Sequence, residues 1–153
     1  MSFDMKPLLI AVRDRLKSQI TALGNRAWVV GDESLLPLEA AFPAATVKDG
    51  GTAVLGYDNQ ETLVEHAIVV SVFQENLRDV ESAVIGDASA TPNVQDLIGS
   101  VITALKDQAL GLSVLSIVRP TRISGTDLYV DPEASKDIVK KSITWAYRQK
   151  PSI

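Results

Sequence analysis

The chain of 153 residues contains no cysteine and only one histidine. The first absence excludes a disulfide framework, a thiolate metal site and a cysteine nucleophile. The second excludes any site needing two imidazoles from one subunit, and leaves His66 as the only candidate general base near neutral pH. Positive charge is also in short supply. Fifteen Lys and Arg face nineteen Asp and Glu, a net charge of −4 with a pI of about 4.9, which gives no electrostatic support for gripping nucleic acid through its phosphates. No apolar run approaches the roughly 20 residues of a membrane-spanning helix. The opening Met-Ser-Phe-Asp-Met-Lys-Pro lacks the basic-then-apolar order of a secretory signal, so folding in a cytoplasm is expected.

Catalytic motifs are missing as well. There is no G-x-S-x-G elbow and no G-x-G-x-x-G. Gly50, Gly51 and Gly56 superficially resemble a phosphate loop, but Tyr57-Asp58 follow Gly56 where a Lys-Ser/Thr pair would have to reach the phosphates and magnesium. Asp127, Asp131, Glu133 and Asp137 lack the EF-hand spacing and read as a solvated acidic loop, with a weak calcium site as the sharper alternative. His66 reads as a core-edge or interface histidine. Trp28 and Trp145 read as strand residues of the core. No enzyme, cofactor or metal is expected.

What is present is an ordinary globular balance, 46% hydrophobic and 22% charged, enough for one domain over residues 1–153 with a real core. Leu9, Val12, Leu16, Ile20 and Leu23 recur at three- and four-residue steps and predict a helix from about Lys6 to Leu23, with Pro7 in its first turn and Gly24 as its stop. Ala27–Val30 and Ala44–Lys48 read as short strands, joined by a proline-bearing connector over Asp32–Phe42. Asp49–Gln60, rich in Gly, Asp and Asn, reads as a mobile loop or the tip of a protruding hairpin.

The longest strand is Glu61–Gln74, apolar on both faces and therefore expected to be covered twice, once by a helix and once by another subunit. Leu77, Val80 and Val84 predict a short helix. After it, Thr91-Pro92 read as the cap and first residue of a helix carrying Val94, Leu97, Ile98, Val101, Ile102 and Leu105, stopped by Gly111. Leu112–Val118 reads as a buried strand and Arg119–Lys136 as an excursion holding a short strand at Leu128–Val130. Ile138–Gln149 alternates as a closing antiparallel strand. The natural solution is an α+β domain of two layers, a mostly antiparallel sheet packed with an N-terminal and a central helix.

In this order the elements resemble the tail terminator family of long-tailed bacteriophages and related contractile particles. The resemblance rests on the Leu8–Leu16 helix, Ala27-Trp28-Val29-Val30, the connector into Phe42-Pro43-Ala44-Ala45-Thr46-Val47, the Leu63–Phe73 strand, the Val94–Leu105 helix and Ile143-Thr144-Trp145-Ala146-Tyr147. It departs at Gly86–Thr91, which splits a region where one helix is expected. The resemblance implies a structural virion protein, assembled in the host cytoplasm, that closes a hexameric ring on the head-proximal end of the tail tube. The implied partners are other copies of the chain, the tail tube protein, a head connector or neck protein and, in contractile particles, the sheath. DNA only passes through the lumen, for which an acidic balance is suitable, and no membrane is involved. Loops 49–60 and 119–136 are then the candidate contacts to neighbouring subunits or rings, with Asp49, Gly50, Gly51, Tyr57, Asp58, Arg119, Arg122, Asp127 and Tyr129 as their candidate interface residues.

Three other readings compete. Another head–tail joining or neck ring protein would share this small α+β plan. A soluble ligand-binding or regulatory module would be a compact monomer or dimer with a defined pocket. An enzyme with a site between subunits would centre on His66.

Overall fold

The computed structural model describes residues 5–31, 36, 41–57, 62–75, 82–85, 92–108, 110, 116–129 and 138–149. Helix α1 spans Met5–Gln19 and buries Leu8, Val12 and Leu16. Val12 and Leu16 belong to the expected stripe, but Leu8 takes the place expected of Leu9, which is only half-buried against the same core. It ends earlier than its apolar periodicity suggests. Ile20 takes an extended conformation, and Thr21–Leu23 form a separate 3-10 turn closed by Gly24 at φ 56°, so Ile20 and Leu23 still reach the core by a change of backbone path.

Strand β1 (Ala27–Val30) pairs parallel with β2 (Ala44–Tyr57), and β2 pairs antiparallel with β3 (Thr62–Glu75). Strand β2 runs on through Asp49–Tyr57, which corrects the reading of that stretch as a loop; the hairpin reading of it holds. Phe42-Pro43 before it is a cis peptide. Helix α2 (Ser82–Ile85) is one turn, and Leu77 and Val80 lie outside the described residues.

Helix α3 (Val94–Leu105) turns its buried face, Val94, Leu97, Ile98, Val101, Ala104 and Leu105, to the sheet. Its cap is Asn93 rather than Thr91. The Asn93 side chain accepts from the Asp96 N–H at 2.9 Å and donates to the Asp96 carboxylate at 2.8 Å, satisfying a first-turn donor that Pro92 cannot serve. The helix also stops before Gly111. Lys106 leaves helical geometry, and Asp107 takes φ 55°, a conformation Asp tolerates better than most residues.

Strand β4 (Ser116–Ile123) crosses Pro120, so its second half corrects the expected excursion from Arg119; β5 (Asp127–Tyr129) is the short strand anticipated there. Strand β6 (Ile138–Gln149) closes the sheet in the order β1-β2-β3-β6-β4, with β5 also on β6. Apart from the β1–β2 pair, every pairing is antiparallel. The result is the expected α+β architecture.

Rows across the sheet decide what faces what. Val29, Val47, Val70, Ile143 and Ile123 form one row, and Trp28, Thr46, Ser71 and Ser142 form the next. The first row belongs to the face under α1 and α3, where Ala45, Val47, Ile68, Val70, Val72, Ile143, Trp145 and Tyr147 join the helix stripes in one core. Arg15 ties the two helices by donating from Nε to the Ala104 carbonyl at 2.9 Å. The other face of β3 is half-buried at Leu63, Glu65, Ala67 and Val69 and buried at Ser71 and Phe73. Part of its cover comes from the chain itself, since Leu36 and Phe42 pack on Phe73 and Ile138.

Candidate assembly surface

Two β-bulges shape the outer strand of the hairpin. Between Asp49 and Thr52, β2 spends three steps where β3 spends two, so Gly50 and Gly51 together oppose Ala67. Each glycine has its own reason. Gly51 sits at φ 100°, and its N–H donates to the Asp49 carboxylate at 2.7 Å. A Cβ on Gly50 would lie 3.0 Å from the Ala67 carbonyl oxygen. The second bulge, between Val54 and Gly56, makes Leu55 the extra residue.

Beyond the first bulge the outer edge of β2 has no partner strand among the described residues. β1 reaches only to Lys48, and no described strand pairs with Gly50–Tyr57 on that side. This edge carries Val54 and Leu55 at 59% and 45% exposure, and no residue from Gly50 to Tyr57 is charged. Natural edges normally carry Lys, Pro or a charge that discourages pairing. At the opposite margin, β4 also has no outer partner strand among the described residues, and Ile123 is 45% exposed. Pro120 and a bulge between Val118 and Arg122 protect its second half only.

The expected interface residues therefore fall into two groups on opposite margins of one sheet. Asp49, Gly50 and Gly51 build the bulge, and Tyr57 ends β2; Asp58 lies outside the described residues. Arg119 and Arg122 stand in β4, and Asp127 and Tyr129 in β5. Arg122 and Asp127 meet Ser124, Lys140, Ser142 and Thr144 around a shallow depression of about 260 Å³. The exposed apolar residues Val54, Leu55 and Ile123 were not singled out by sequence reasoning; the signal available was the uncharged run from Gly50 to Tyr57.

His66 is only 1% exposed. Its Nε2 lies 2.9 Å from Oε1 of Gln149 and its Nδ1 2.9 Å from Oγ1 of Thr52. With Oε1 as acceptor, Nε2 carries the hydrogen and Nδ1 accepts from the threonine hydroxyl. The imidazole thus links β2, β3 and β6 just past the first bulge. A second depression, about 480 Å³, lies between α1 and α3 at Gln19, Gln95, Gly99 and Thr103. Among the described residues no group of three His, Cys, Asp or Glu could hold a metal ion, and no helix is long and apolar enough to cross a membrane.

No family model matches the chain, and no curated protein matches it. A solved structure does. A chain from the virion of a native gene transfer agent particle superposes with a TM-score of 0.62 at 17% identity, over 98% of this chain and 100% of that one. Across its whole length, this chain has the fold of a protein found in that virion.

Proposed function

We propose that this protein is a non-enzymatic structural part of a tailed, phage-like virion, and that it works as a tail terminator. In this reading, copies close a ring, of six subunits in the family it resembles, on the head-proximal end of the tail tube. The ring ends tube polymerisation and offers its far side to the head connector. The observation that carries the reading is the fold likeness to a chain of a gene transfer agent virion, over 98% of this chain and 100% of that one. Two sheet margins without a partner strand among the described residues add support, because a closed ring buries surface that a lone subunit exposes. The burial of His66 between Thr52 and Gln149 favours a structural role for the one histidine.

The test is to add the purified protein to tail tube subunits as they polymerise, with light scattering and negative-stain images of the protein alone. Closed rings, and tubes that stop growing with a ring on one end, are the expected result. A compact monomer or dimer that neither caps tubes nor changes their length overturns the reading.

A further inference from the structure

The two sheet margins that lack a partner strand among the described residues match one another in direction, and this points to how one copy meets the next. Taking β2 as pointing up, β3 points down, β6 up and β4 down. A neighbour related by rotation about an axis along the strands would bring its own upward β2 beside a downward β4. That is an antiparallel pair, the same relation that joins every other neighbour from β2 to β4. The chemistry also matches. Ala53, Glu65, Arg148 and Ser116 form one row across the sheet, and at that level both margins are free of charge: Gly50–Tyr57 on β2, and Ser116–Val118 on β4. Charged residues border these stretches with opposite sign, Asp49 on β2 and Arg119 and Arg122 on β4. Two copies of β2 placed edge to edge would instead bring their Asp49 carboxylates to the same seam.

We propose that the half of β2 beyond the first bulge is a strand-addition site whose occupant is β4 of a second copy of this chain, so that the sheet continues from subunit to subunit. Main-chain hydrogen bonds supply the affinity, and Val54 and Leu55 are covered by the neighbour. Because the contact uses two different margins, it is head-to-tail, so it continues from copy to copy rather than stopping at a dimer and gives a ring where the rotation closes. The inference rests on the ring reading above and adds the surfaces that close the ring.

The chain has no cysteine, so the contact can be tested by placing two. Within one chain, Ala53 and Ser116 are three strand spacings apart, roughly 14 Å at about 4.8 Å per spacing, too far for a disulfide. Oxidation of Ala53→Cys/Ser116→Cys, and of Ala53→Cys/Val118→Cys to allow for register, therefore reports only contacts between copies. The expected result is a ladder of disulfide-linked oligomers ending at the ring, together with loss of rings in Val54→Lys/Leu55→Lys, whose fold is checked by circular dichroism. Rings that persist in the lysine variant and give no ladder overturn the edge assignment and leave the ring reading standing. Disulfide-linked dimers from Ala53→Cys alone overturn it in favour of a two-fold β2–β2 pair. Failure of the unsubstituted protein to form rings, alone or on tube ends, removes the ring reading and this inference with it.

Discussion

Tyr147 is fully buried on β6, and its hydroxyl has no hydrogen-bond partner among the described residues. Burial raises the pKa of the phenol far above its ordinary value near 10. The unfolded chain can therefore ionise this tyrosine above about pH 10 while the folded chain keeps its proton. Bound protons then favour the fold, and stability falls as pH rises through that window, by up to about 1.4 kcal/mol per pH unit. Tyr147→Phe should remove that part of the alkaline sensitivity and cost little at neutral pH, since no bond is lost; urea melts at pH 7 and above pH 10 check both. Gly51→Ala should cost about 1–3 kcal/mol by forcing a Cβ onto a φ of 100°. A midpoint shift in the same melts reads it. His66 was legible as a strand residue at a packed edge, but its two partners were not. Thr52 lies 14 residues away and Gln149 lies 83, and no local pattern in the sequence joins them.

Elements were easiest to read where one periodicity ran without competition. The stripe of α3 stands in the structure as the spacing predicts, α1 keeps Val12 and Leu16 of its stripe, and β6 alternates from Ser142 to Gln149 except at buried Ala146. Ends were harder, because several residues compete for one role. Thr91-Pro92 has the composition of a helix start, yet Asn93 bonds both the backbone and the side chain of Asp96 and takes the cap. Asn93→Ala should therefore lower stability by about 0.5–2 kcal/mol, whereas Thr91→Ala should change it by far less. Thermal melts of the two variants separate the assignments. Asp49–Tyr57 was the larger difference. Glycines at 50, 51 and 56 suit a loop by composition, but glycine in a strand also marks a bulge or a close backbone approach. Both occur here, and only the partner strand decides between them.

At the scale of the whole molecule, each chain carries a net charge of −4. Copies brought together in a ring therefore repel one another at low ionic strength. Raising salt from about 0.1 to 1 M shortens the screening length from about 10 to 3 Å, so assembly should be unchanged or strengthened. Six copies of a 16.5 kDa chain run near 99 kDa, and sedimentation across that salt range checks the point. Fold class was legible in the order of elements; the strand order β1-β2-β3-β6-β4 was not, because β6 enters between β3 and β4 through contacts distant in sequence.

The bulges also fix a metric property of the sheet. From Ala44 to Tyr57, β2 takes thirteen steps against eleven for β3 between Phe73 and Thr62, and from Ser116 to Ile123, β4 takes seven against five for β6 between Arg148 and Ile143. Each of these strands thus fits two more residues than its inner neighbour into the same paired span. The surplus is taken up as local bends with a stronger right-handed twist, so neither strand runs straight beside its neighbour. Taking out Leu55 would remove one of those bends and straighten that half of β2.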